Sequence, residues 1–434
     1  MMKFDEVFLN RMREILGKDF DSFLKSLNLP SEKAIYVNEN KMPVEKFRKI
    51  VDFAVEQIPY ERCGFYVGNM KLGRHSLHHA GAFYVQEPSA MFTVNAIKFR
   101  GNEKVLDMCA APGGKSIQIA NRIPNGVLVS NEFSKSRSEI LFSNIERMGL
   151  KNVIISNDST ENLANAYEGM FDVVLVDAPC SGEGMFRKGE DMISAWNPGL
   201  NIKCQIRQME ILENANKALK EGGTLIYSTC TYSLEENEQV VKSFMEKHDY
   251  ELININYPYS RGIGSNETVR LYPHENRGEG QFVAVLKKRE ESVFGGSVLK
   301  LKNSSRAKDF VKQNTNLNFD CFEFGNYSYY VPDLNLVRKR VNYVSVGVRL
   351  GELVNSRFVP FHFMFSAFGK AFRNKINCGM GDECVLKYLK GETFDVEVQD
   401  GYGCLFLEDC PLGGFKISAG KFKNFYPKGL RNVK

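Results

Sequence analysis

Phe171-Asp-Val-Val-Leu-Val-Asp-Ala-Pro-Cys180 is the stretch that decides the fold. An apolar, valine-rich run closed by a polar turn reads as a parallel strand buried on both faces. Gly223-Thr-Leu-Ile-Tyr-Ser-Thr-Cys230 repeats the arrangement. A cysteine in mid-strand is usually a small hydrophobe. A thiol at the carboxyl tip of a strand in an open α/β sheet faces the crevice where ligands bind. Two such thiols, Cys180 and Cys230, point to covalent chemistry.

Working outward, strands are expected at 104–108, 127–131, 152–156, 171–176, 223–229 and 281–287. Helix-like runs near 114–122, 134–148, 201–220 and 235–248 lie between them. This alternation over residues 96–290 predicts a doubly wound, mostly parallel α/β sheet. The first strand leads into Asp107-Met-Cys109-Ala110-Ala111-Pro112-Gly113-Gly114-Lys115-Ser116, a glycine turn opening a helix. Its glycines would let the backbone approach a ligand, and the helix N-terminus offers free N–H groups. A triphosphate loop is disfavoured, because that motif needs a glycine where Cys109 stands and Pro112 removes a donor. Dinucleotide binding is disfavoured because no Gly-x-Gly-x-x-Gly follows the strand. Glu132 ends the second strand, where an acid accepts from ribose hydroxyls in doubly wound folds. Asp158 follows the third, Asp177 the fourth, and Thr229–Thr231 the fifth. Singly, each acid could be a helix cap or turn residue. Together they fall on one edge of the sheet.

With 434 residues, the chain exceeds one ordinary core. Residues 1–95 read as an N-terminal α+β domain whose clearest helix starts at Pro43. After a linker beyond Lys288, two small α+β or β units are expected at 300–370 and 375–434. The second has strand-like runs at Thr393–Val398 and Gly403–Leu407. Ten cysteines without a Cys-x-x-Cys read as reduced thiols, and no metal site is expected, either at Cys378/Cys384 and Cys404/Cys410 or at His75, His78 and His79. The histidines are expected in a polar surface turn. No signal peptide or membrane span is discernible, so a cytoplasmic protein without membrane contact is expected. Net charge is +5 but uneven: from Lys300 onward there are 21 Lys and Arg against 13 Asp and Glu. After Asp409, basic residues interleave with Phe415, Phe422, Phe425 and Tyr426. That pattern suits RNA, with cations on phosphates and rings on unpaired bases, although a solubilising tail would look alike.

A nucleoside-bearing cofactor and two thiols suggest one reaction. A thiolate adds to carbon 6 of a pyrimidine, carbon 5 takes a methyl group from a sulfonium, a base removes the carbon-5 proton, and the thiol leaves. The attacking thiol should therefore have polar or electropositive surroundings. Asp177 is suited to the Watson–Crick edge of cytosine. A methyltransferase acting on an exocyclic amine would need an Asn/Asp-Pro-Pro-aromatic turn in place of Asp177-Ala-Pro-Cys180.

These residues resemble the Sun/NSUN family of RNA (cytosine-5) methyltransferases. The turn at Asp107–Lys115 looks like the family's S-adenosylmethionine loop. Asp177-Ala-Pro-Cys-Ser-Gly-Glu-Gly-Met-Phe-Arg-Lys188 looks like its motif IV, Tyr227-Ser-Thr-Cys-Thr-Tyr-Ser233 its motif VI, and Arg270–His274 with Gly280–Ala284 its last core motif. Gln86–Met91 matches the stretch before the methyltransferase domain, and Phe422–Arg431 a PUA-type RNA-binding unit of the bacterial ribosomal-RNA members. A ferredoxin-like unit is expected at 300–370. Ala34-Ile-Tyr-Val-Asn-Glu-Asn40 departs from the family's usual Arg-Val-Asn-Thr. The resemblance implies S-adenosylmethionine as cofactor, held by Cys109–Lys115, Glu132, Asp158 and Asp177. It makes Cys230 the nucleophile, Cys180 the residue assisting release, and Asp177 the holder of the cytosine. The implied partner is RNA, ribosomal RNA or the small ribosomal subunit, with transfer RNA as an alternative target and a monomer expected. A non-catalytic RNA-binding assembly factor on the same fold is the rival of another class.

Overall fold

Seven strands of the central sheet carry the residues singled out above: β1 (Lys104–Asp107), β2 (Val127–Asn131), β3 (Val153–Ser156), β4 (Phe171–Asp177), β5 (Leu219–Thr229), β6 (Ser265–Leu271) and β7 (Gln281–Lys288). The structure is a computed structural model and describes residues 2–431 except 54, 69, 397 and 398. The strands lie in the order β3-β2-β1-β4-β5-β7-β6. β1 runs parallel to both β2 and β4, β2 to β3, and β4 to β5, while β7 is antiparallel to β5 and β6. Chain order departs in both directions from the β1/β4 pair, so a crevice opens above their carboxyl ends. Every residue of β2 and β3 is buried, as strands covered on both faces require.

Helices α1 (Gly114–Arg122), α2 (Lys135–Met148), α3 (Thr160–Ala166), α4 (Pro198–Ala218) and α5 (Glu238–Met245) fill the connections. α2 stops at Gly149, whose φ of 66° gives the left-handed cap. Two features depart from the expected pattern. β5 begins at Leu219, and the polar start of β6, Ser-Asn-Glu-Thr, hid a strand that pairs with β7 through Val269–Leu271.

Near the N-terminus, strands 56–58, 61–66, 34–37 and 83–86 form a separate four-stranded sheet in that order. The helix expected from Pro43 spans only Val44–Ile50. Helices Glu6–Leu16 and Phe20–Leu27 pack elsewhere: Phe8, Met12 and Phe23 share a core with Phe186, Trp196, Tyr232 and Tyr272 of the central domain.

Beyond the linker, strands 302–303, 322–324, 327–330, 348–354 and 357–360 form a five-stranded sheet whose neighbours are all antiparallel. This meander is not the ferredoxin-like unit expected there, which needs crossover connections between its strands. Tyr343–Ser345, from the same region, pairs with β3 and extends the central sheet. The last sheet joins 374–378, 401–407, 410–418 and 421–424. Thr393–Val396 form no strand, and Glu397 and Val398 of that expected run lie outside the described residues.

Three further expectations are corrected. Cys378 and Cys384 are bonded sulfur to sulfur, so not all ten cysteines are free thiols. Their sulfurs and an Asp382 oxygen lie within 4.8 Å of one another. The histidines at 75–79 form no open surface turn: His79 Nδ1 lies 2.7 Å from the Tyr426 hydroxyl, across an interface with the last sheet. Of the tail's aromatics, Phe415, Phe422 and Tyr426 are core, since their rings pack on each other and on Tyr388 and His362. Phe425 alone of the four is half-exposed. No helix among the described residues is long and apolar enough to cross a membrane.

Candidate active site

Cys180 and Cys230 sit in the turns after β4 and β5, and their Sγ atoms are 3.3 Å apart. Parallel pairing sets this distance: Asp177 is in register with Ser228, and the Ala178 N–H donates to the Ser228 carbonyl. Two turns leaving adjacent strands at the same level must meet. Gly184 closes the arrangement. Its N–H donates 2.9 Å to the Cys230 carbonyl, and a Cβ there would lie 2.8 Å from that oxygen.

Two buried carboxylates hold the turns. Glu236 accepts from Ser181 N–H at 2.9 Å, from the Ser181 hydroxyl at 2.5 Å, and from Asn201 and Gln208. Glu183 accepts from Tyr232 N–H at 3.1 Å, Trp196 Nε1 at 3.1 Å, Asn201 at 2.8 Å and Arg11 at 2.6 Å. Sequence reading missed both. Arg11, on the first helix, reaches Glu183 in the turn after β4 from 172 residues away, which no local pattern records.

The electrostatics separate the two thiols. The Cys230 thiol is held below its ordinary value by the S–H that Cys180 donates, with Lys115 and Lys188 opposing the effects of burial and Asp177. The Cys180 thiol is pushed up, first because it donates to Cys230 and then by burial. Of the two, Cys230 is therefore the more readily ionised. Burial pushes Cys109 up strongly, with Asp107, Glu132 and Asp177 adding to it, so it is no rival nucleophile.

Asp177 occupies the end of β4, accepting from Lys115 Nζ at 2.8 Å, from the Ser228 hydroxyl at 2.8 Å and from Gln281 at 3.4 Å. Burial would lower the Lys115 ammonium, but Asp177 outweighs it and raises it. Asp107 is fully buried; desolvation lifts its carboxyl to about 7, against the Ser116 hydroxyl donating at 2.7 Å, and its Oδ1 has no hydrogen bond among the described residues.

A cavity of about 1140 Å³ opens over these turns, lined by Met108, Cys109, Ala111, Glu132, Phe133, Ser159, Asp177, Cys180 and Cys230, among others. The expected residues Ala110, Pro112, Gly113, Gly114 and Lys115 form the turn beneath it. The two glycines also meet local steric demands. Gly113 holds a φ of 117°, and a Cβ on Gly114 would lie 2.9 Å from Gln86 Cδ. Glu132 pairs with Arg137 at 3.3 Å, and Arg137 also donates to the Ala111 carbonyl at 2.8 Å. Asp158 stands apart. Its carboxylate accepts from Ser159 N–H, Asn162 and Asn342 N–H, bracing the edge strand at 343–345. Phe133 was missed; an aromatic directly after the acid, 64% exposed, was its available signal.

The strand order, with the cavity above the β1/β4 switch point, defines the class: an S-adenosylmethionine-dependent methyltransferase fold. Three family models match in chain order: the N-terminal domain of 16S rRNA methyltransferase RsmF over residues 4–88, 16S rRNA methyltransferase RsmB/F over 94–287, and the methyltransferase RsmF PUA domain over 376–432. The chain belongs to this RsmB/F family, of the Sun/NSUN type with a C-terminal PUA domain. It is 35% identical over 305 residues to ribosomal RNA small subunit methyltransferase F of Escherichia coli O157:H7, a match covering 66% of this chain and 64% of that protein. The protein of that name from Shigella boydii serotype 18 matches to the same extent. The match thus spans less than two thirds of these relatives' length. A methyltransferase homologue from Pyrococcus horikoshii is similar in structure, with TM-score 0.57 and 28% identity, covering 66% of this chain and 95% of that one. NSun6 from Pyrococcus horikoshii with SFG shares the fold, with TM-score 0.61, 23% identity, and 66% and 99% of the two chains covered.

Proposed function

We propose that this protein methylates carbon 5 of a cytosine in small-subunit ribosomal RNA, through a transient bond between Cys230 Sγ and carbon 6 of the base, in the cytoplasm. The carrying observation is the pair of thiols 3.3 Å apart at adjacent strand tips, inside the cavity that Glu132 also lines. S-adenosylmethionine, when bound, supplies an electrophilic methyl group. The residues present fit it. Glu132 offers a carboxylate to a ribose diol, Phe133 an exposed ring to the adenine, and Met108 and Ala111 apolar walls, while Asp107, outside the lining, keeps a buried oxygen without a hydrogen bond among the described residues. Cys109–Lys115 would hold the cofactor's amino-acid end from below, and Asp158 would act on the adenine side through Ser159, which lines the cavity.

Cys230, the more acidic thiol, adds its sulfur electron pair to carbon 6. Asp177, charge-balanced by Lys115, holds the cytosine's amino edge and offsets charge on the ring. Carbon 5 takes the methyl group, and loss of its proton to a base returns the electron pair that expels the Cys230 thiolate. Cys180 assists that departure by donating its S–H back to the leaving sulfur. The target base must be splayed out of its stack to reach this depth. Bisulfite sequencing of ribosomal RNA from cells with and without the gene tests the reading. One cytosine should lose its protection when the gene is removed, and unchanged protection everywhere refutes it.

A further inference from the structure

At the far end of α2 from this site, Phe142, Glu146, Arg349, His362, Phe363 and Phe425 line a second cavity of about 370 Å³. Glu146 stands two turns and more beyond Arg137 on the same helix, about 14 Å along its axis. The cavity brings together the central domain, the meander and the last sheet, and the proposed chemistry uses none of these side chains.

Two of its polar side chains each carry an atom without a hydrogen bond among the described residues. Glu146 is 9% exposed and His362 7% exposed, yet the buried Oε1 of one and the buried Nδ1 of the other have no hydrogen bond among the described residues. Buried polar atoms of this kind call for a ligand or a specific reason. Burial pushes the Glu146 carboxyl well above the usual range, with Arg349 opposing it in part, and takes His362 down to about 3, so the imidazole is neutral. The walls are flat and aromatic. The Arg349 guanidinium lies 4.5 Å over the Phe142 ring, held from behind by the Tyr329 hydroxyl at 3.1 Å. Phe425 stacks on Tyr402 with a centroid separation of 5.8 Å and an interplanar angle of 19°. Lys423 sits 5.7 Å over the same Phe425 ring, at the rim.

A planar ligand with donors along one edge fits these features: apolar ring carbons flank it and the carboxyl takes its edge. Among the RNA bases, guanine presents two adjacent Watson–Crick donors, N1–H and N2–H, and so can occupy both oxygens of one carboxylate. Adenine and cytosine offer one amino group, and uracil one imide N–H. Two donated hydrogen bonds also favour the ionised carboxylate, reversing what burial imposes. We propose that this cavity binds an unpaired guanine of an RNA strand, with Glu146 taking its Watson–Crick donors and Lys423 an adjoining phosphate. The basic residues following Asp409 favour a strand over a free nucleotide. The proposal rests on the RNA reading above for the source of the base.

Fluorescence anisotropy on the full chain tests it, using a short uridine-rich strand with one central guanosine and the same strand with inosine, which lacks the N2 amine. The guanosine strand should bind about tenfold more tightly. Glu146→Gln should erase the difference, and Phe425→Ala should weaken both strands. Equal affinity for the two strands, or a preference surviving in Glu146→Gln, overturns the proposal. GMP binding more tightly than the strand overturns the RNA assignment. Methyl transfer by the unaltered protein is measured on ribosomal RNA alongside. Guanine preference without methylation fails the proposed function and leaves this pocket standing, while methylation without preference does the reverse.

Discussion

The Sγ atoms of Cys180 and Cys230, from turns fifty residues apart, lie in hydrogen-bonding contact at 3.3 Å. The proposed mechanism gives these two chemically identical side chains different tasks. Cys230→Ala should abolish methyl transfer while cofactor binding, measured by calorimetry, persists. Cys180→Ala should instead accumulate a protein–RNA adduct on a denaturing gel, because the sulfur that assists release is gone. Loss of the adduct in Cys180→Ala, with its appearance in Cys230→Ala, would show that the roles are exchanged.

The same contact sets a pH dependence. Donation from Cys180 lowers the Cys230 thiol, so its thiolate persists to lower pH than an ordinary cysteine's. Alkylation of Cys230 by iodoacetamide, followed by mass spectrometry, should therefore titrate below the usual midpoint near about 8.5. Replacing Cys180 by Ala removes the donor and should move the midpoint upward. An unmoved midpoint would show that Lys115 and Lys188 alone set it.

Glu183 ties the first helix to the catalytic turns, accepting from Arg11 at 2.6 Å and from Tyr232 N–H at 3.1 Å. Its side chain is fully buried, so truncating Arg11 leaves part of its charge uncompensated. Three other donors remain, and Arg11→Ala should cost about 1–3 kcal/mol in urea unfolding. Turnover should fall as the turn loosens, with cofactor affinity kept. In a double-mutant cycle with Glu183→Gln, the coupling should be a substantial part of that cost; additivity would mean the contact carries nothing.

Burial of the Asp107 carboxyl carries a pH-dependent cost in stability. Desolvation raises its carboxyl to about 7 against about 3.9 unfolded, so the folded state holds a proton that the unfolded state has lost. Its contribution is complete below the unfolded value and is lost as pH rises through 7. Asp107→Asn should therefore raise the melting temperature of the cofactor-free protein at pH 8 and change it little at pH 4. The gain should be on the order of 1–4 kcal/mol, and cofactor affinity should fall. A variant no more stable at pH 8 would mean that hydrogen bonds keep Asp107 ionised.

What the chain discloses and what it hides divide along sequence distance. Cys109, Glu132, Asp177, Cys180 and Cys230 were legible because each follows a buried strand, and parallel strands deliver their tips to one edge. Glu236 and Glu183 were not, since a buried acid reads as an exposed one until its donors arrive from other segments. Asp158 had the right position but spends its carboxylate on Asn162 and Asn342. In the tail, one pattern has two physical causes. Phe415 and Phe422 alternate with lysines because one face of a strand is core and the other is wet, a pattern that also mimics a nucleic-acid surface.

Lys41 shows how such distant contacts bind the whole molecule. Its buried ammonium donates to the Ala80 carbonyl at 2.7 Å, the Arg147 carbonyl at 3.2 Å, the Ser366 hydroxyl at 2.6 Å and the Pro411 carbonyl at 3.3 Å. These acceptors come from the N-terminal region, α2, the helix at 362–368 and the last sheet, and none is a carboxylate. Burial lowers the amine from 10.5 to about 8. Between those values the unfolded chain binds a proton that the folded chain does not, so this group makes stability rise with pH from about 8 to 10.5. Lys41→Met removes the donor and leaves buried acceptors unsatisfied, at a cost of about 1–3 kcal/mol. The variant should be less stable at every pH, and its deficit should widen from pH 8 to pH 10. A deficit that narrows over that interval would mean that Lys41 stays fully charged in the fold, its four acceptors outweighing the loss of water.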